Sequence, residues 1–162
     1  MALLQPGDTA PQFNLPDQNG VLVSIDSHIG RKKILIYFYP KAMTPGCTIQ
    51  ARKLRDNMDT FRKLGIEVIG VSNDKSEKLF KFSKKEMLNF TLLYDENFQI
   101  SKKFGVWGEK NSMGKTYNGI HRVSFIIDQT GTIEQVFKSF KPIDHDRIVL
   151  RYLHDKHASP HR

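Results

Sequence analysis

The chain has 162 residues, 39% of them hydrophobic and 10% aromatic, which is enough apolar material for one domain with a proper core. Its 25 basic and 17 acidic residues leave a formal charge of +8, but the basic residues are scattered and match no nucleic-acid-binding motif, so only weak, salt-sensitive contact with polyanions is expected. No run of about 18 apolar residues is present to span a bilayer, and the first residues lack the basic start and apolar stretch of a secretion signal, so the expected compartment is the cytoplasm, with neither a membrane nor a specific nucleic acid as partner.

In chain order, Phe13-Asn14-Leu15 and Val21-Leu22-Val23 flank Asn19-Gly20, a hairpin signal, and Ser24 to Gly30 reads as a loop or helical turn. Ile34 to Tyr39 is an unbroken apolar run, as expected of a central strand covered on both faces. Cys47, Ala51, Leu54, Met58 and Phe61 then recur at helical spacing, with Leu64 extending the stripe and Gly65 as a stop. Ile66 to Val71 is the next strand, and the strand-helix-strand order predicts a parallel pair with a right-handed crossover. Ser72-Asn73-Asp74 supplies caps for a helix to about Met87, which would bury Leu79, Phe82 and Met87 and leave Phe80 partly exposed. Phe90 to Tyr94 reads as a strand, Asn97 to Phe104 as a helix ended by Gly105, and Val106 to Gly119 as a long connection. Val123–Ile127 and Thr132–Phe137 form a hairpin about Asp128-Gln129-Thr130-Gly131, and Asp144 can cap a last helix through Leu153, before a polar tail from about residue 154. The whole predicts an α/β single domain over residues 1–162, a mixed central sheet with helices on both faces and an N-terminal β extension.

The chemistry concentrates at Cys47, the only cysteine. A lone cysteine is often a small buried hydrophobe, but this one follows a strand, a Pro-x-x-x-Thr spacing and the turn-forming Pro45-Gly46. That places it in the first turn of a helix, where unpaired N–H groups and the positive dipole end favour a negatively charged sulfur. It also lies at the carboxyl end of a central strand, the usual place for chemistry in an open α/β sheet. Gln50 reads as a helix-surface or loop-bracing residue, Trp107 as packing and His121 as a packing or surface residue. Gly114-Lys115-Thr116 fails as a phosphate loop because the preceding glycine, Gly108, stands one position too far away. His154, His157 and His161 read as a solvated tail with no preorganised ligand set, so no metal is expected. The absence of Cys-x-x-Cys disfavours a thioredoxin-type oxidoreductase.

Four segments carry a family resemblance: Gly-Asp-Thr-Ala-Pro-Gln-Phe at 7–13, Tyr-Pro-Lys-Ala-Met-Thr-Pro-Gly-Cys-Thr at 39–48, Phe-Gly-Val-Trp-Gly-Glu-Lys at 104–110 and Gly-Ile-His-Arg-Val-Ser-Phe-Ile-Ile-Asp at 119–128. With these, the chain from Leu4 to Leu153 resembles a peroxiredoxin of the bacterioferritin comigratory protein type, also called the Q type, built on the thioredoxin fold. The resemblance implies a thiol-dependent peroxidase without a cofactor, acting on hydrogen peroxide and organic hydroperoxides. It implies that Cys47 is the peroxidatic nucleophile and becomes a sulfenic acid. Thr44 then orients thiolate and peroxide, Arg122 holds the thiolate and polarises the substrate, and Pro40 shapes the pocket. The Gly46 and Cys47 backbone N–H groups are further donors for charge on the leaving oxygen.

One position departs from that pattern. Many members of this type carry a resolving cysteine where this chain has Arg52. Helix positions five apart differ by about 140° and rise about 7.5 Å, so even the usual pair needs local unwinding. Here the second sulfur is expected from outside, from thioredoxin, glutaredoxin or a small thiol. The expected assembly is a monomer or weak dimer. Two other readings stand beside the peroxidase: a redox sensor or adaptor passing a mixed disulfide to a partner, and a non-catalytic binding domain in which Cys47 is structural.

Overall fold

The computed structural model describes residues 2–27 and 31–158. Its centre is β3 (Lys33–Phe38), whose side chains Ile34 to Phe38 are all buried. A strand apolar at every position must be covered on both faces, and it is. Leu35 and Tyr37 meet α1 (Pro45–Asp56), α2 (Met58–Lys63), α3 (Ser76–Lys85) and α5 (His145–Ala158). Ile34, Ile36 and Phe38 meet α4 (Gln99–Phe104) and the N-terminal hairpin of β1 (Asn14–Pro16) and β2 (Leu22–Ser24). Each fully buried side chain of this size contributes roughly 1.5–3 kcal/mol.

Five strands form the main sheet in the order β5-β4-β3-β8-β9. β4 (Ile66–Ser72) pairs parallel with both β3 and β5 (Thr91–Tyr94). β8 (Val123–Ile127) pairs antiparallel with β3 and with β9 (Ile133–Phe137). The predicted mixed sheet, the helices on both faces and the N-terminal β extension are all present. The register Phe38↔Val123 sets the start of β8 beside the end of β3, where the cysteine loop begins.

The structure corrects several local expectations. The long cysteine helix breaks at Asn57 (φ −109°, ψ 10°), whose side-chain amide donates to the Lys53 carbonyl at 2.9 Å and to Asp146 at 2.8 Å. Its apolar stripe continues across the break into Met58 and Phe61. Asp74 does not cap α3, which starts after Lys75 without a side-chain cap. Met87 is not buried: α3 ends at Lys85 and Met87 turns out at positive φ, 75% exposed. Phe80 is partly exposed, as expected. The segment before α4 is a kink, with Asn97 and Phe98 both at positive φ.

The connection at 106–119 is in fact a hairpin, β6 (Trp107–Ser112) with β7 (Lys115–Ile120), turning through Met113 and Gly114, both at positive φ. That pair of left-handed residues is a two-residue turn whose twist suits antiparallel strands. The last helix runs to Ala158 instead of stopping at Leu153, with His154, Asp155 and Lys156 exposed. His161 and the expected turn at 28–30 lie outside the described residues.

Gly105 closes α4 at φ +78°, and a Cβ there would overlap the backbone of Ala2 and Leu3. Gly114 shares that φ but has open space around it. Gly114→Ala should therefore cost only the backbone strain, about 1–2 kcal/mol, while Gly105→Ala should cost at least ~2 kcal/mol more. Urea unfolding of the two variants measures the difference. Equal losses would show that the N-terminal strap yields without penalty.

Candidate active site

Residues Tyr39 to Thr44 link the end of β3 to α1. Pro40 is half-buried in this link, and Met43 holds φ +69°, an uncommon conformation for a side-chain-bearing residue. The link is fastened from the next strand: Asp74 accepts the Ala42 N–H at 2.7 Å and the Ser72 hydroxyl at 2.9 Å, and pairs with Lys78 at 3.1 Å. The expected capping residue is thus a brace for the cysteine loop.

Cys47 lies in the first turn of α1, 2% exposed, in the same packed cluster as Tyr37, Tyr39, Ala42 and Ala51. The Thr44 hydroxyl donates to the Lys41 carbonyl at 2.7 Å, while the Thr44 carbonyl accepts the Thr48 N–H at 2.9 Å. Among the described residues, Thr44 makes no side-chain hydrogen bond to Cys47. With its proton committed to Lys41, the hydroxyl presents lone pairs, making it an acceptor for an arriving O–H.

Arg122 reaches this site because it immediately precedes β8, beside the end of β3. Its Nη1 lies 3.5 Å from the Cys47 sulfur and 2.6 Å from Gln50 Oε1. Gly46 makes room for it: a Cβ there would sit 3.3 Å from Arg122 Nη2 and 3.5 Å from Pro142. Lys110 on β6 adds to the positive surroundings while donating to the Ile120 carbonyl at 2.9 Å. Burial, and secondarily the charge of Arg122, lowers the Lys110 pKa from its ordinary value.

Gln50, expected at the helix surface or as a loop brace, is not at the surface but braces Arg122. It is fully buried, and its Nε2 has no protein partner among the described residues. The spacing held the signal, because Cys47, Gln50, Ala51 and Leu54 make a helical i, i+3, i+4, i+7 stripe facing the sheet. Arg52 falls on the other side and pairs with Glu86 at 2.6 Å, pointing away from Cys47 as expected. His121 is exposed, with Nε2 at 3.0 Å from the Glu109 carbonyl oxygen, and Trp107 packs 5.6 Å from Phe98 with Lys102 over its ring. Neither approaches the sulfur chemistry by any contact in the structure.

Behind the cysteine lies a dry polar layer. Tyr37 sits 5.4 Å from Tyr39 and 5.8 Å from His145, ring to ring, and burial pushes the Tyr37 hydroxyl well above its ordinary pKa. His145 is fully buried, stacked on Phe140, with Nε2 at 2.8 Å from the Ser124 hydroxyl. Burial, helped by the charge of Arg122, pushes its pKa down to about 3. Among the described residues no group of three His, Cys, Asp or Glu side chains could hold a metal, and no helix is long and apolar enough to cross a membrane.

A cysteine heading a helix, under an arginine delivered by the neighbouring antiparallel strand, is the arrangement to set against known proteins. Residues 6–136 match the AhpC/TSA family. The chain belongs to that family. It is 58% identical to the peroxiredoxin Bcp of Escherichia coli over 150 residues, which cover 93% of this chain and 96% of the relative. A putative peroxiredoxin bcp of Haemophilus influenzae is 52% identical with the same coverage. Among solved structures, the bacterioferritin comigratory protein of Xanthomonas campestris matches with a TM-score of 0.84 and 31% identity over 94% of this chain and 96% of that one. A Xylella fastidiosa PrxQ variant matches with a TM-score of 0.89 and 26% identity, over 98% and 99%. As a peroxiredoxin of the bacterioferritin comigratory type, on the thioredoxin fold, the chain is a thiol-dependent peroxidase that takes a peroxide and a thiol reductant.

The buried imidazole predicts a pH dependence. Its ordinary pKa is 6.5 and its folded value about 3, so the unfolded chain takes up a proton that the folded chain refuses. The contribution of His145 to stability is complete above pH 6.5 and is lost as pH falls towards about 3. The urea midpoint should therefore drop between pH 6.5 and 5, above the range in which carboxylates protonate, and His145→Gln should flatten that drop. The same slope in both proteins would contradict the assignment.

Proposed function

We propose that Cys47 is the peroxidatic nucleophile, with Arg122 and Thr44 as the groups that hold the hydroperoxide against it. The contact of Arg122 Nη1 with the sulfur at 3.5 Å carries this reading. Both oxygens of a bound hydroperoxide need complementary groups. The Thr44 lone pairs accept its O–H, while Arg122 and the Gly46 and Cys47 backbone N–H groups stabilise the charge growing on the leaving oxygen. Pro40 and Gly46 shape the site, Gly46 by admitting the guanidinium. The thiolate attacks the terminal oxygen, the S–O bond forms as the O–O bond breaks, and the leaving oxygen takes a proton to become water or an alcohol. No cofactor takes part in this cycle.

The substrates we propose are hydrogen peroxide and organic hydroperoxides. The similar X. campestris protein is described by its alkyl peroxide reduction activity, which supports the second class. With Arg52 where a resolving cysteine would stand, the sulfenic acid is resolved by thioredoxin, glutaredoxin or a small thiol. We place this activity in the cytoplasm, in a single-domain monomer or weak dimer.

Cys47→Ser should abolish peroxide consumption in the presence of each reductant. In wild-type protein, excess hydrogen peroxide without thiol should add two oxygen atoms at Cys47, because no neighbouring sulfur intercepts the sulfenic acid. A peroxide-consumption assay reads the first and mass spectrometry of the intact chain the second. Consumption surviving in Cys47→Ser, or a product halted at one added oxygen, would contradict this cycle.

A further inference from the structure

The face of α1 turned away from Cys47 lines a groove that the oxidation step does not use. Pro45, Thr48, Ile49 and Arg52 recur along this face, and Met43, Lys85 and Glu86 complete a space of about 350 Å³. That volume is at the small end of sites that hold small molecules, about 300–1,000 Å³. The lining is chemically mixed. Met43 and Ile49 are 40% and 39% exposed, so they offer apolar surface for a short organic backbone. The Glu86 carboxylate, with its side chain 7% exposed, accepts the Nε of Arg52, whose two Nη groups have no partner among the described residues, and the Glu86 backbone carbonyl accepts Arg55 Nη1 at 2.7 Å. Lys85 is exposed and makes no ion pair among them. Two cations against one committed carboxylate leave the groove positive.

We infer that this groove docks the thiol that resolves oxidised Cys47, and that this thiol is a small peptide-like molecule bearing carboxylates, of the glutathione kind. The inference rests on the reading of Cys47 as the peroxidatic cysteine. Arg52 and Lys85 meet the carboxylates, and the apolar rim covers the stem of the ligand. The groove stands where the internal second sulfur is missing: Arg52 occupies that position and lines it. A protein thiol would need an interface of about 800 Å² on each partner, whereas this cleft is matched to one small molecule.

The sulfur faces the sheet and the groove faces outward, so the first turn of α1 opens for the two to meet, while Arg52 and Lys85, which lie beyond that turn, keep hold of the carboxylates. That turn is weakly held. Thr44 provides no side-chain cap, Pro45 has no N–H to give, and opening releases Met43 from its positive φ. The docked thiolate then attacks the sulfur of the sulfenic acid. An S–S bond forms, the S–O bond breaks, and the hydroxide leaves as water with the proton of the thiol. A second thiol displaces Cys47, giving the small-molecule disulfide and the reduced enzyme, so two thiols supply the two electrons.

Steady-state peroxide reduction by the full chain, with glutathione varied, tests this. Wild-type turnover should saturate with glutathione, and Lys85→Glu and Arg52→Gln should each raise KM for it roughly 5- to 10-fold. Single-turnover oxidation of Cys47 by peroxide should be unchanged in both, as should turnover with 2-mercaptoethanol, an uncharged thiol without a carboxylate. Lys85 is exposed, so its variant puts no buried contact at risk. Turnover linear in glutathione, a KM unchanged from wild type in both variants, or turnover supported only by thioredoxin or glutaredoxin would overturn the groove. A failure of peroxide to oxidise Cys47 in the single-turnover arm would instead remove the reading on which the groove rests, and the groove with it.

Discussion

The guanidinium of Arg122 held between Gln50 and the Cys47 sulfur is the contact on which the rest of the site depends. A free arginine side chain carries about 2 kcal/mol of rotamer entropy, and a flexible one would share its charge with water instead of sulfur. The 2.6 Å bond to a fully buried amide oxygen fixes it. A hydrogen bond to a charged group contributes about 1.5–3 kcal/mol, enough to offset that loss. The fold serves this contact in three ways: antiparallel pairing of β8 with β3 delivers Arg122, the inward stripe of α1 delivers Gln50 and Cys47, and the missing side chain of Gly46 lets the guanidinium approach.

The same helix divides the work of the cycle between its two faces. On the proposed reading, the inner face holds the buried sulfur beside the positive guanidinium of Arg122, surroundings suited to breaking an O–O bond. The outer face carries Arg52, whose charge is tied to Glu86 and not to the sulfur. In the proposed cycle, oxidation and reduction engage opposite sides of one short element.

Much of this was legible in the residues. Ile34 to Tyr39 could only be a strand covered on both faces, and the turn chemistry around Asp128 to Gly131 left little choice but a hairpin. Two of the features that escaped share a cause, since each depends on a partner remote in sequence. A glutamine inside a helix reads as surface until Arg122, 72 residues away, supplies its bond. Asp74 reads as a cap until the Ala42 N–H arrives from the link between β3 and α1. The β6–β7 hairpin escaped for the opposite reason: its strands are largely exposed, so no alternation of apolar residues marks them, and only the Met113-Gly114 turn could have. Thr44 was expected to face the sulfur through its hydroxyl, yet its proton goes to Lys41, which casts it as an acceptor awaiting substrate.

The most direct measurement of this account is the second-order rate constant for oxidation of Cys47 by hydrogen peroxide in a single turnover, wild type against Arg122→Lys. Lysine keeps the charge, but its single nitrogen cannot keep the Gln50 and sulfur contacts that Arg122 makes through Nη1 and also supply a second donor in place of Nη2, so the constant should fall by roughly 100-fold while the urea midpoint changes little. A rate within about twofold of wild type would show that charge alone suffices, and the positioning of Arg122 by Gln50 would lose its place in the mechanism.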